Sequence, residues 1–338
     1  MLSSDTLKRA HNIDIVKGIA ILLMVFCHTR SSIDFFQTWV YAWHMPIFFY
    51  ICGWLTAYNK GSIPDIVDNL KKRFFQLGVP YFIWCIILLA FYAILSHIGS
   101  GNSFYSIYNN AIKILSFQGI DSLWFIPIYA FTEILIKFIF ARISNYAIII
   151  INAILIILLS LFSSTDIIFV KILLKIAYGV CYASIGYITY DIHINRTTAL
   201  LLLFLTSLCI LHNGFSAIGN LAFGRSIIIA IISGATLCFS LLNLFDNNIH
   251  NNHILTLVSS IGRYSIIILC TNNILIEIIR LFDYKIFNNI LLQSGIIGQI
   301  LITIMILAIN YFVIILSSIN GSCIFGIKRT KSSTVSLK

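Results

Sequence analysis

Ten apolar stretches, each close to the length needed to cross a lipid bilayer, decide what this chain can fold into. They run over 13–33, 36–58, 75–97, 123–141, 146–163, 167–190, 198–213, 225–245, 255–281 and 295–317. A helix rising about 1.5 Å per residue needs about 20 residues for a hydrocarbon layer roughly 30 Å thick. The expectation is an all-α, polytopic membrane protein of about ten transmembrane helices. With 59% apolar and 10% charged residues, little is left from which to build a soluble domain. The first run carries Asp14 and Lys17 and lacks a small-residue cleavage site, so it reads as an uncleaved span and not a signal peptide. Residues 13–317 are expected to form a single transmembrane domain, with 1–12 as a short cytosolic segment and 318–338 as a basic cytosolic tail.

Charge placement orients the spans. The net charge is +10, but the bases are scattered over loops with no basic run interleaved with aromatics, which argues against nucleic acid as a partner. With the N-terminus inside, thirteen of the 22 lysines and arginines fall on the cytosolic side and seven on the other, so both termini are expected in the cytosol. The eight cysteines include no Cys-x-x-Cys pair and read as small buried hydrophobes, with neither a disulfide frame nor a metal site.

Ionisable groups are costly in hydrocarbon, which singles out Lys17, His28 and His44. Lys17 and His28 are eleven positions apart, about 16 Å of helical rise and about 20° from the same azimuth, so one helix face holds both. Asp14 lies near that stripe, in range to pair with Lys17. On the topology above, His28 sits in the outer half of the membrane and His44 enters from the outer side, so the two imidazoles can approach each other while Lys17 stays near the cytosol. Pro46 cannot donate to the carbonyl of Ala42, and a kink is expected there, making room for a substrate beside His44. Glu133 falls near the midplane of the fourth span, with Lys137 one turn later to neutralise it, and Glu277 and Arg280 are spaced to pair.

Gly179, Ser184 and Gly186 in the sixth span point to close helix packing. The segment 98–122 is expected as the longest polar connection, on the outer side, and His212, Asn213 and Arg225 flank a second outer loop. In DNNIHNNH, at 246–253, two histidines lie among asparagines with no further ligand nearby, so no metal site is expected.

A basic residue, ten intervening residues and a histidine, Lys17 to His28, followed by HMPIFFYICGWL at 44–55, resembles the membrane acyltransferase-3 family, especially its fucose-4-O-acetylase-like polysaccharide branch. Scattered elements agree: Leu77-Gly78-Val79-Pro80-Tyr81 behind a basic cluster, Leu123-Trp124-Phe125, Gly186-Tyr187, and Gly262 with Ser265. The specific part of the likeness is 14–55.

The resemblance implies an enzyme of the plasma (inner) membrane that moves an acetyl group from acetyl-CoA to a sugar hydroxyl, on a polysaccharide or a lipid-linked glycan, with no tightly bound cofactor. His28 is then expected as the general base, since imidazole titrates near neutrality. His44 would shape or polarise the site. Lys17 stands where most members carry arginine, so the charge remains and the two-pronged grip is lost. Lys71, Lys72 and Arg73 suit the phosphates of coenzyme A, with positive-inside topology as the plain alternative. Some members show Arg-x-x-Arg here, whereas Arg73 is followed three later by Gln76.

Trp124 is a substrate-site candidate or an interfacial anchor, and Glu133, if not merely paired, would orient a histidine or accept a sugar hydroxyl. Asn272 occupies the position of a family histidine, where it can hydrogen-bond a substrate but cannot shuttle a proton. The competing class is a non-enzymatic carrier or flippase for glycan or lipid, with His, Lys and Glu lining its path. Inverted repeats would favour that class, and no clear repeat relates the two halves. A glycan polymerase or ligase would show catalytic acids or bases in a large outer loop, and 98–122 holds only Lys113 and Asp121.

Overall fold

The computed structural model describes residues 4–29, 34–59, 66–98, 103–245, 253–286, 290–320 and 323–326. Arg30, Lys60, His250 and the tail from 327 onward lie outside the described residues. The chain begins with α1 (Ser4–His28), α2 (Phe35–Tyr41), α3 (Pro46–Tyr58), α4 (Ile66–Arg73), α5 (Val79–Ile98) and α6 (Ser103–Leu115). It continues with α7 (Phe125–Phe138), α8 (Asn145–Phe162), α9 (Ile168–Ile188) and α10 (Arg196–Asn213). Two-residue strands β1 (Ser216–Ala217) and β2 (Ala222–Phe223) precede α11 (Ile227–Leu244), α12 (His253–Arg263), α13 (Ser265–Ile286), α14 (Ile290–Gln293) and α15 (Gly295–Asn320).

Eight helical stretches among the described residues are long and apolar enough to cross a membrane, which makes this an all-α, polytopic membrane protein. The other two expected runs are helical but interrupted or short. The second is not one kinked helix: it breaks into α2 and α3 around a turn at 42–45. Pro46 takes the first position of α3, where a missing N–H costs nothing. The fourth run gives the 14-residue α7, flanked by 3₁₀ turns at Asp121–Trp124 and Phe140–Arg142. The ninth run divides at Tyr264 into α12 and α13.

The chain folds into two compact units, residues 1–63 with 128–265 and residues 64–127 with 266–338. In the first, α1 lies along α12, α3 along α9, and α10 along α11. Two of these crossings bring backbone onto backbone. A Cβ at Gly53 of α3 would lie 1.6 Å from the carbonyl oxygen of Ala183, and one at Gly186 of α9 would lie 2.1 Å from that of Tyr50. At the α1–α12 crossing, a Cβ at Gly262 would sit 1.8 Å from the carbonyl oxygen of Asp14. Lipid tails offer no hydrophobic gain to helix association, so such close approach is what holds membrane helices together. Away from these seams, α8 exposes Ile149, Ile150, Ile154 and Ile157, a face suited to lipid.

The loop joining α10 to α11 is a small antiparallel hairpin with Ser216 opposite Phe223. Buried Asn213 staples it: Nδ2 donates to the carbonyl of Phe223 at 2.8 Å, and Oδ1 accepts from the backbone N–H of Ser226 at 2.8 Å. Asn213 thus holds the hairpin together, while His212 and Arg225 are exposed. Removing the amide strands two backbone groups, each costing about 1–3 kcal/mol when buried unsatisfied. Asn213→Ala is expected to lower the apparent melting temperature of the detergent-purified protein, whereas His212→Ala leaves it unchanged; intrinsic tryptophan fluorescence during heating measures both.

In the second unit, α4 runs through a π-helical turn at Phe74–Gly78 into α5. The segment 98–122 is not simply a polar loop: it contains α6. Phe104, Ile107, Ala111 and Ile114 recur there at helical spacing. Ile114 is buried, and its carbonyl accepts from the Tyr81 hydroxyl of α5 at 2.9 Å. Residues 323–326 fold back on α5, where Trp84 donates Nε1 to the carbonyl of Ile324 at 3.2 Å. All eight cysteines are free; six are buried, and Cys209 and Cys323 are exposed, contrary to the expectation for all eight.

Candidate active site

The turn at 42–45 fixes the best defined of the predicted site residues. His44 is 4% exposed, and its Nδ1 lies 2.9 Å from the carbonyl oxygen of Val40, which also accepts the backbone N–H of His44 at 3.0 Å. A carbonyl only accepts, so Nδ1 carries the proton and Nε2 of the neutral ring presents a lone pair. Pro46 ends the turn by starting α3, so backbone and ring together hold His44 in one pose.

Tyr41, at the end of α2, joins the two histidines. Its ring centroid lies 4.9 Å from that of His44 and 6.1 Å from that of His28, which is half-buried in the last turn of α1. The sequence reading missed Tyr41. Its signal was its place three residues before His44, the spacing of helix neighbours, but whether it also meets His28 depends on how α2 returns against α1. Gln37 Nε2 supports that return by donating to the carbonyl of Cys27 at 3.3 Å. Phe215 closes the other side of Tyr41 at 5.4 Å between centroids. The result is two imidazoles packed against one phenol ring, which holds them in one cluster.

Lys17 stands on the same helix as His28 and pairs with Asp14 at 2.6 Å, both side chains about one-fifth exposed. Eleven residues of α1 keep this pair about 16 Å from His28. Buried Glu133 of α7 is salt-bridged to Lys137. That is the pair the four-residue spacing implied.

The other predicted residues belong to the second unit. Lys71 and Lys72 are exposed in the last turn of α4. Arg73 is half-buried and donates Nη1 to Gln76 Oε1 at 3.0 Å, so the residue standing where some family members carry a second arginine holds the first one still. Trp124 is half-buried against Phe125, their ring centroids 6.0 Å apart. Asn272 is fully buried; its amide nitrogen lies 3.5 Å from Asn273 Oδ1, and Asn273 donates to Ser122 Oγ at 3.4 Å. Ser122 in turn donates to the carbonyl of Leu269 at 2.9 Å. Trp124 and Asn272 therefore flank one polar seam, which binds α13 to the turn ahead of α7.

Among the described residues, no group of three or more His, Cys, Asp or Glu side chains is arranged to hold a metal ion. No curated protein and no solved structure matches the chain. A family model described as an acyltransferase domain matches residues 10–315, a span that includes His28, His44 and the basic cluster. The chain is a membrane acyltransferase and belongs to the acyltransferase-3 family.

Proposed function

We propose that the chain transfers an acetyl group from cytosolic acetyl-CoA to a sugar hydroxyl of a surface polysaccharide or its lipid-linked precursor, at the plasma (inner) membrane. On this reading both termini are cytosolic, residues 13–317 act as one catalytic domain, and the acceptor reaches the histidines from the outer side. The observation that carries it is the His28–Tyr41–His44 cluster, two imidazoles packed against one phenol ring; on this reading they stand where an outer alcohol would arrive.

The alcohol is a poor nucleophile until its proton has somewhere to go, and His28 is the base that takes it. As the oxygen attacks the thioester carbonyl, the C–O bond forms, the C–S bond breaks, and the CoA thiolate receives a proton. His44, its Nδ1 held by Val40, polarises the site through Nε2. Lys71 and Lys72, exposed at the end of α4, suit the donor's phosphates, and Arg73 is held in place by Gln76. The Asp14–Lys17 pair faces the donor from the cytosolic end of α1.

Inverted membrane vesicles supplied with labelled acetyl-CoA test this directly. Label is expected on glycan in vesicles that contain the protein and not in vesicles that lack it. A carrier or flippase would move glycan and leave it unlabelled, which would overturn the assignment.

A further inference from the structure

We propose that an open cleft beside α9 binds an acidic group on the acceptor, so that the saccharide to be modified carries carboxylates; this rests on the acetyl-transfer reading above. The cleft holds about 320 Å³ and is lined by the Ser163–Asp166 turn, Lys171 and Lys175 of α9, and the Gly219–Leu221 segment of the hairpin. That volume falls at the lower end of the range for small-ligand sites, about 300–1,000 Å³. On the topology of this chain it opens on the outer side.

Its chemistry is unlike the apolar surface around it. Three neighbouring hydroxyls, Ser163, Ser164 and Thr165, and the amide of Asn220 face a ligand that offers many hydroxyls of its own. Two lysines stand one helical turn apart in the lining, with Asp166 as its acidic side chain. Asp166 holds Lys171 at 3.0 Å and is itself fully exposed. Like charges four apart on a helix repel, and Lys175 sits half-buried, deeper than Lys171 in sequence along α9. An anion seated between them would offset that repulsion and supply a charge-assisted hydrogen bond.

The hairpin ties the cleft to the histidines. Phe215 packs on Tyr41, and Gly219 lines the cleft. Three residues lie between them, so they are at most about 14 Å of chain apart, and the loop is stapled by Asn213. On this proposal an oligosaccharide anchored by one sugar in the cleft presents a neighbouring sugar to His28.

Binding to the purified full-length protein tests the assignment without relying on turnover. A galacturonic acid trisaccharide, followed by calorimetry, is expected to bind at least ten-fold more tightly than maltotriose. Lys175→Gln and Lys171→Gln should each weaken the acidic ligand about ten-fold, and Lys175→Arg should retain it. Equal binding of the two trisaccharides, or an unchanged affinity in both glutamine variants, overturns the proposal. So does a preference for glycerol phosphate, which would make the cleft a lipid headgroup site. With the detergent-purified protein, labelled acetyl-CoA and an added acidic acceptor, the glutamine variants should raise KM for that acceptor and leave kcat within two-fold. If wild-type vesicles transfer no label yet the charge-dependent binding persists, the cleft assignment stands and the enzymatic reading is the one that fails.

Discussion

His28→Ala is expected to reduce acetyl transfer by about 10²–10⁴-fold, the range for losing a positioned general base. In barrier terms that is about 3–5 kcal/mol. The loss should fall on kcat, because the imidazole acts on a proton that moves only as the C–O bond forms, while the donor's phosphates are bound elsewhere. Release of labelled acetyl from CoA and its appearance on glycan, measured at matched protein levels, give the two rates. His28→Gln should be no better than alanine, since an amide offers hydrogen bonds but cannot accept a proton near neutrality. His44→Ala should cost less, one to two decades, because His44 orients the site through a ring already fixed on Val40. Tyr41→Phe keeps both ring contacts and should lose less than ten-fold, whereas Tyr41→Ala removes the bridge. A His28→Ala enzyme retaining a tenth or more of wild-type activity would take the base role away from His28. A larger loss at His44 would exchange the two assignments.

What could be read from the sequence was what local spacing determines. The apolar runs became helices because length and composition suffice for that in hydrocarbon. The pairs Asp14–Lys17, Glu133–Lys137 and Glu277–Arg280 formed because residues three or four apart on a helix are neighbours wherever the helix goes. Pro46 signalled a disturbance beside His44, but one missing N–H predicts a bend; the turn at 42–45 and the contact of the His44 ring with the Val40 carbonyl could not be read from it. Tyr41 could not be placed because its two partners come from different helices. The cleft was beyond reach altogether, since Lys171 and Asn220 are joined only by the packing of α9 against the hairpin. α6 was hidden for another reason: its polar residues match those of a loop, and only the Phe104, Ile107, Ala111, Ile114 spacing betrays the helix.

Gly53→Ala, one methyl group on α3, should disable the enzyme without touching the chemistry. The added carbon would lie 1.6 Å from the carbonyl oxygen of Ala183, a backbone atom of α9 that no rotamer change can move aside. The two helices must separate by more than an ångström to readmit it, and overpacking of this kind typically costs about 1–3 kcal/mol, here at the upper end because backbone opposes backbone. That displacement starts only seven residues after Pro46, so it is carried straight to the turn that holds His44. Misplacing a catalytic group by about 1 Å can lower a rate about 10²-fold. The expected result is a protein that still inserts and purifies, with a lower apparent melting temperature and about a hundred-fold less transfer. Gly186→Ala strikes the same crossing from the other helix, 2.1 Å from the carbonyl oxygen of Tyr50, and should give the same phenotype. Because both substitutions open one seam, the double variant should be much less than the sum of the two. Ile157→Leu on the exposed face of α8 serves as the control and should stay within about 0.5 kcal/mol of wild type. Wild-type activity in Gly53→Ala would mean that the α3–α9 contact does not position His44, and the HMPIFFYICGWL segment would then have to be explained by its side chains alone.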